Sequence, residues 1–390
     1  MGYICLKNTR IFTGYTYIDN GAVIIKDEQI YDVVGSERLK KIELDPDTEI
    51  IDLKGAILTA GFVDTHIHGI NGFGTEDGTV ESILGMSESL IEYGVTSFCP
   101  TIYPQPDQDF LSSLHACRDA IGHEKGAKIR GLHLEGPFIS KEKLGAQKEE
   151  CVKSVDLDLM KYFVEETGEN IAIMTVAPEL KGMRDLALYC TKKGIILSAG
   201  HTSATYDQMV EGMQTGILHS THFFNAMRKL HHRDPGCVGA ILIHPEISCE
   251  LIADGIHVHP SLVKLLLKEK PIDKVVLITD ALKPTKQKCG CLRANKREVY
   301  LTEENIFRHK DDDVIAGSSS TMIGGIKNLS SWGVNLEHSL RMASSNPATV
   351  LRMDKTGALI PGMLADITVI DDDFNIKMTI VSGKILLNRL

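Results

Sequence analysis

Histidines and carboxylates recur at one kind of place in this chain, the end of an apolar run. Gly61-Phe62-Val63-Asp64-Thr65 leads into His66-Ile67-His68, and Gly131-Leu132-His133-Leu134 ends in Glu135. Ile195-Ile196-Leu197-Ser198-Ala199-Gly200 ends in His201, His219-Ser220-Thr221 leads into His222, and Val275-Val276-Leu277-Ile278-Thr279 ends in Asp280. Residues two apart on a strand face the same side, so His66 and His68 can share one ligand. Any one of these residues alone reads equally well as a hydrogen-bonded structural group. Five apolar runs with the same ending instead point to converging imidazole and carboxylate donors around a divalent metal, with one position open to water. Asp280 then stands as a base toward that water.

Elements able to bring such ends together follow from the pattern between them. Apolar runs begin near Gly61, Ser97, Lys128, Ile171, Ile195, His219, Ile247 and Lys274. Helix-like stretches separate most of them, among them 80–93, 110–121, 183–193 and 261–270. Eight such units predict a parallel sheet closed as a (β/α)8 barrel, whose chemistry sits at the carboxyl ends of the strands. An open doubly wound sheet is the alternative, but no glycine-rich dinucleotide fingerprint follows an early strand. Before Leu58 the chain reads as short strands, with a hairpin of Ala22–Ile25 and Gln29–Val34 across Lys26-Asp27-Glu28. After Ala358 it turns to β again at Ala365–Ile370 and Met378–Val381, so both termini are expected to pair in a small β domain. The polar segment Lys283–Asp313 reads as a long loop over the barrel mouth.

Composition narrows the class. With 390 residues, 43% apolar and 24% charged, the chain can bury a large core without covalent staples. Its nine cysteines are odd in number and irregularly spaced. Cys289 and Cys291 lack the second pair of a zinc ribbon, and read as free thiols. A formal charge of −10 predicts no nucleic-acid partner and no anionic membrane surface, so an anionic substrate needs a local basic pocket. The first nine residues show no apolar leader region, the acylation pattern fails at Leu6, and no 18-residue apolar run occurs. A soluble cytoplasmic protein is expected.

The motifs GFVDTHIHG, GLHLEGPF, SAGHTSA, THFFNAM, DPGCVGAI, IADGIHVHP, LITDA and the NPA from Asn346 extend over about Leu58 to Leu390. Together they resemble the N-acetylglucosamine-6-phosphate deacetylases of the amidohydrolase superfamily. The resemblance implies a (β/α)8 barrel over 59–354, a small β-sandwich from 1–58 and 355–390, and a homodimer. It implies metal-dependent hydrolysis of an amino-sugar phosphate, N-acetylglucosamine-6-phosphate, to glucosamine-6-phosphate and acetate. Glu135, His201 and His222 match the main metal ligands, and His66 and His68 match positions that help hold a second ion in some members. One or two divalent ions are therefore expected, zinc or iron first. Asp280 matches the acid/base and His257 the residue that contacts the substrate carbonyl. Asn225, the Ala226 backbone and Arg233 match phosphate-binding positions, Arg233 reaching in from the neighbouring subunit.

Two departures border the implied sugar pocket. Gln147 stands where family members carry a substrate-binding His, and it can donate a hydrogen bond but adds no charge. The run Ser318-Ser319-Ser320-Thr321-Met322 lacks the Leu that usually precedes Thr-Met. His231 and His232 read as solvated. A dihydroorotase- or hydantoinase-like enzyme would need a carboxylated Lys on the fourth strand, and Ile171–Val176 contains none. A sugar-phosphate-binding regulator without catalysis would be expected to have lost Asp280 or a ligand, and all are present. The galacto epimer stays open as the substrate.

Overall fold

The computed structural model describes residues 2–287 and 290–390. Eight parallel strands form the barrel wall: Phe62–Ile67, Val95–Ile102, Leu132–Glu135, Ile171–Val176, Ile196–Ala199, Ile217–Ser220, Ser248–Ile252 and Val275–Ile278. Each pairs with its sequence neighbour from the first to the eighth. All eight coincide with the apolar runs read from the sequence. The first seven are each followed by a helix, from Val80–Leu90 to Pro260–Glu269. Burial of strand side chains against these helices makes one continuous core that includes Phe62, Phe98, Leu134, Met174 and Leu277.

The ring closes between the eighth strand and the first through few but strong contacts. Asp280 N donates to the His66 carbonyl and His68 N to the Ala281 carbonyl, both at 2.9 Å. Beneath them the Thr279 hydroxyl donates to Asp64 Oδ2 at 2.6 Å. Burial pushes the Asp64 carboxyl up to about 7, although bonds from Thr279 and the His66 amide pull the other way.

Both termini build a second, smaller sheet, as expected. The N-terminal strands are Tyr3–Phe12, Tyr17–Lys26, Gln29–Val34, Glu49–Asp52 and Ile57–Ala60. The C-terminal ones are Ile367–Ile370, Ile376–Val381 and Lys384–Asn388. Ile57–Ala60 lies antiparallel to Ile367–Ile370, and this seam joins the two ends of the chain. Leu6, Ile11, Val23, Leu58, Ile367 and Ile380 fill its own core. Only Gly61 separates the seam from the first barrel strand. A Cβ there would come within 2.2 Å of the Thr96 hydroxyl, so no larger residue fits without a shift.

The segment expected to be a loop over the mouth is a sheet. Arg293–Ala294, Arg297–Leu301, Ile306–His309 and Ile315–Ser318 pair antiparallel in that order. One face carries Val299, Phe307 and Ala294, which pack on Leu282 and Tyr103 of the barrel rim. Of the thiol pair, Cys289 lies outside the described residues, while Cys291 is an exposed free thiol. No helix among the described residues is long and apolar enough to cross a membrane.

Candidate active site

At the mouth the strand ends turn sharply. His201, His222 and Asp280 have φ of 46°, 23° and 49°. Side chains with a Cβ seldom adopt this left-handed conformation, and strained residues of this kind cluster at functional sites. Here the turn ends each strand and aims the next side chain across the ring. Gly200 permits it, because a Cβ there would lie 2.1 Å from Thr221 Cγ2.

The turned side chains meet. Glu135 Oε1 lies 3.1 Å from His201 Nε2 and 3.0 Å from His222 Nε2, and the two imidazole nitrogens are 3.1 Å apart. His66 Nε2 stands 3.5 Å from both Glu135 Oε1 and Asp280 Oδ1. His68 Nε2 is 3.3 Å from Asp280 Oδ1 and 3.6 Å from Glu135 Oε2. His68 also stacks flat on Tyr103, with ring centroids 3.7 Å apart.

Tautomers follow from the far side of each ring. His68 Nδ1 faces the Thr101 carbonyl at 3.0 Å, and His201 Nδ1 faces the Lys143 carbonyl at 2.9 Å. A carbonyl only accepts, so both Nδ1 atoms carry a proton, and in the neutral ring both Nε2 atoms turn lone pairs inward. His66 Nε2 is buried without a hydrogen-bond partner. Burial works against the Glu135 charge, yet His201, His222 and His66 hold its carboxyl well below the usual carboxylate range. Imidazole nitrogens and carboxylate oxygens crowded together in this way suit a divalent cation. Among the described residues, three such groups occur: Glu135 with His201 and His222, His66 with His68 and Asp280, and His66 with His133 and Glu250. In the third, both His133 nitrogens already bond, to the Thr65 carbonyl and the Thr175 hydroxyl, so His133 is structural.

A cavity of about 230 Å³ opens over this centre. Its wall includes His68, Glu135, His201, His222 and Asp280, with Asn225, Ala226, Gln147 and His257 around them. His66 lies beneath, fully buried. His257 Nδ1 donates to Asp254 Oδ2 at 2.6 Å, and Asp254 Oδ1 also accepts from the Ile256 and His257 amides. Burial disfavours a charged His257, but Asp254 beside it raises its pKa overall.

Other expected residues fall elsewhere. Arg233 is exposed, 2.9 Å from His232, and does not line the cavity of its own chain. His231 and His232 are exposed, matching the solvated reading. Gln147 does line the wall, but its Nε2 donates to Glu135 Oε2 and its Oε1 is buried without a partner. The amide therefore orients the carboxylate and is left with an acceptor to offer. The Ser318–Met322 run stops one residue short of the wall, which ends at Gly317. Thr321 there caps the helix Met322–Ser331. Sequence reasoning missed Tyr103, Asp254 as the partner of His257, and Glu250.

The comparisons agree with this geometry. Residues 57–386 match the model of the amidohydrolase family, and residues 4–58 match the NagA composite domain. The N-acetylglucosamine-6-phosphate deacetylase of Bacillus subtilis (strain 168) is 33% identical over 98% of this chain and 96% of its own length. This chain belongs to the N-acetylglucosamine-6-phosphate deacetylase family of amidohydrolases. The deacetylase of Lysinibacillus sphaericus is 34% identical over 85% of this chain and 86% of its own. The crystal structure of the Pasteurella multocida deacetylase superimposes with a TM-score of 0.91 at 30% identity, covering 98% of this chain and 99% of that one. The likeness extends over the barrel and the terminal sheet together.

Proposed function

We propose that this chain is a metal-dependent deacetylase that hydrolyses N-acetylglucosamine-6-phosphate to glucosamine-6-phosphate and acetate. The observation that carries the reading is the convergence of Glu135, His201 and His222 beside Asp280, in a chain aligned over nearly its full length with such deacetylases. Glu135, His201 and His222 would hold one divalent ion, and His66 and His68 would help hold a second. Such an ion supplies Lewis acidity to the acetyl carbonyl and lowers the pKa of adjacent water.

The protein's own groups supply the rest. Burial works against the Asp280 charge, but positive charge on His66 and His68 outweighs it and holds its carboxyl below the usual range. A divalent ion held by the same imidazoles would supply that charge in their place. Asp280 is thus ionised at neutral pH and accepts the proton of the attacking water. As the water oxygen bonds to the carbonyl carbon, charge grows on the carbonyl oxygen. His257, oriented and kept basic by Asp254, donates to that oxygen. Asp280 then returns the proton to the amide nitrogen, the C–N bond breaks, and amine and acetate leave. Asn225 and the Ala226 backbone hold the phosphate, and Arg233 of a second copy completes the site in a homodimer. A guanidinium suits that task through paired charge-assisted bonds. A cytoplasmic location fits a phosphorylated sugar substrate.

Acetate release by purified, metal-analysed protein tests the reading. The substrates are N-acetylglucosamine-6-phosphate, its galacto epimer and unphosphorylated N-acetylglucosamine, and the first is expected to be preferred. Equal turnover of the unphosphorylated sugar would remove the phosphate from the proposal. Faster turnover of the galacto epimer would reassign the substrate.

A further inference from the structure

Below the metal cluster lies a carboxylate that the reaction does not use. Glu250, in the seventh barrel strand, is completely buried and points at groups from the first and sixth strands. Its Oε2 faces His66 Nδ1 at 2.9 Å, the Thr221 hydroxyl at 2.8 Å and the His222 amide nitrogen at 3.3 Å. Its Oε1 faces the Thr65 hydroxyl at 3.1 Å and His219 Nε2 at 3.4 Å. His219 is braced in turn by Ser248, whose hydroxyl lies 2.7 Å from its Nδ1.

The roles in this network are fixed by two groups that cannot exchange them. An ionised carboxylate only accepts, and a backbone amide only donates. Oε2 must therefore be an acceptor for His222 N, and His66 Nδ1, facing the same oxygen, carries its proton. In the neutral ring that a metal needs, the other nitrogen, Nε2, is then a bare lone pair turned to Glu135 and Asp280. The contact with His222 N reaches a second ligand-bearing residue from beneath, at the strained turn where its φ is 23°.

We infer that Glu250 is a positioning residue for the metal centre, which fixes the tautomer and direction of His66 and anchors the turn that presents His222. This rests on the proposed metal centre. Carboxylates that hold a metal-ligating imidazole by its far nitrogen fix its orientation and raise its basicity, and their loss weakens metal binding about 10- to 100-fold. An isosteric amide keeps part of the arrangement. Its oxygen can face His222 and His66 while its NH2 faces Thr65 and His219, provided His219 presents a bare Nε2. The negative charge is lost, and with it the added basicity of His66. An apolar side chain keeps neither the bonds nor the charge.

The test is metal affinity, by competition with a chelator using zinc as the probe, on wild type, Glu250→Gln and Glu250→Leu. Metal-free melting temperatures are measured alongside, with Asp366→Asn as a control. Asp366 is also buried and hydrogen-bonded, to the Ser382 amide, but lies in the terminal sheet region away from the cluster. The expected result is about a 10-fold loss for Glu250→Gln, a larger loss for Glu250→Leu, and unchanged affinity for Asp366→Asn. Zinc binding by both Glu250 variants as tight as wild type, with only their metal-free melting lowered, would reduce Glu250 to a structural residue and overturn the inference. So would an equal loss in Asp366→Asn. If Glu250→Leu does not fold, Glu250→Gln alone decides between these outcomes. Wild-type protein that binds no zinc or iron would instead bring down the metal centre itself.

Discussion

In the proposed reaction Asp280 and His257 divide the proton chemistry between them, and each owes its state to a neighbour. Asp280→Asn keeps the shape and its backbone bond to His66 but removes the proton acceptor. Turnover is expected to fall by about 10²–10⁴-fold with bound metal unchanged by elemental analysis. Full activity in that variant would sink the assigned role. His257 and Asp254 form a buried pair 2.6 Å apart whose effect on stability depends on pH. The raised pKa of His257 gives stability that is complete below its unfolded value, about 6.5, and lost as pH climbs through the folded value. The lowered pKa of Asp254 gives stability present above its unfolded value, about 3.9, and lost as pH falls through the folded one. Asp254→Asn should therefore cost about 1–3 kcal/mol in urea unfolding between pH 4 and 6.5, and less on either side. A difference that ignored pH would exclude the ion pair. At this scale the proposed ligand residues were readable because each breaks an apolar run at its end. Glu250 sits inside such a run, between Cys249 and Leu251, where a lone carboxylate is itself a signal. Its partners, however, come from distant strands that only the closed ring brings near.

Elements were readable where one periodicity dominated. The eight barrel strands are buried at nearly every position, so their sequences are mainly apolar and stand out. The sheet over the mouth packs only one face, on Leu282 and Tyr103, and its other face carries Glu298, Arg308 and Tyr300. Its short strands thus alternate within a polar background and resemble a loop. The final strand, Lys384–Asn388, escaped for a similar reason, since none of its side chains is fully buried. Gly61 shows how tightly neighbouring elements are joined. Gly61→Ala should lower stability by about 1–3 kcal/mol in denaturant unfolding, because the new methyl meets the Thr96 side chain. Adding Thr96→Ala should recover part of the loss. No recovery would show that the backbone, and not Thr96, sets the limit.

For the whole molecule, the placement of Arg233 makes a sharp demand. Exposed and outside the cavity of its own chain, it would serve the partner's site in the proposed homodimer. Arg233→Ala alone should raise KM for the phosphorylated sugar far more than for the unphosphorylated one. Mixing Arg233→Ala chains with an excess of Asp280→Asn chains should give, at substrate well below the raised KM, activity above the sum of the two preparations. Each mixed pair would hold one site with an intact Asp280 and an intact Arg233. Purely additive rates would place the arginine outside the site. The antiparallel seam between Ile57–Ala60 and Ile367–Ile370 bears on how the protein is made. Its two halves leave the ribosome roughly three hundred residues apart, and contacts so distant in the chain form late. His66 and His68 follow one half directly, so the chain leading into their strand stays unpaired on that edge until the C-terminus is made. A chaperone that shields the apolar Ile57–Ala60 edge would act during that interval.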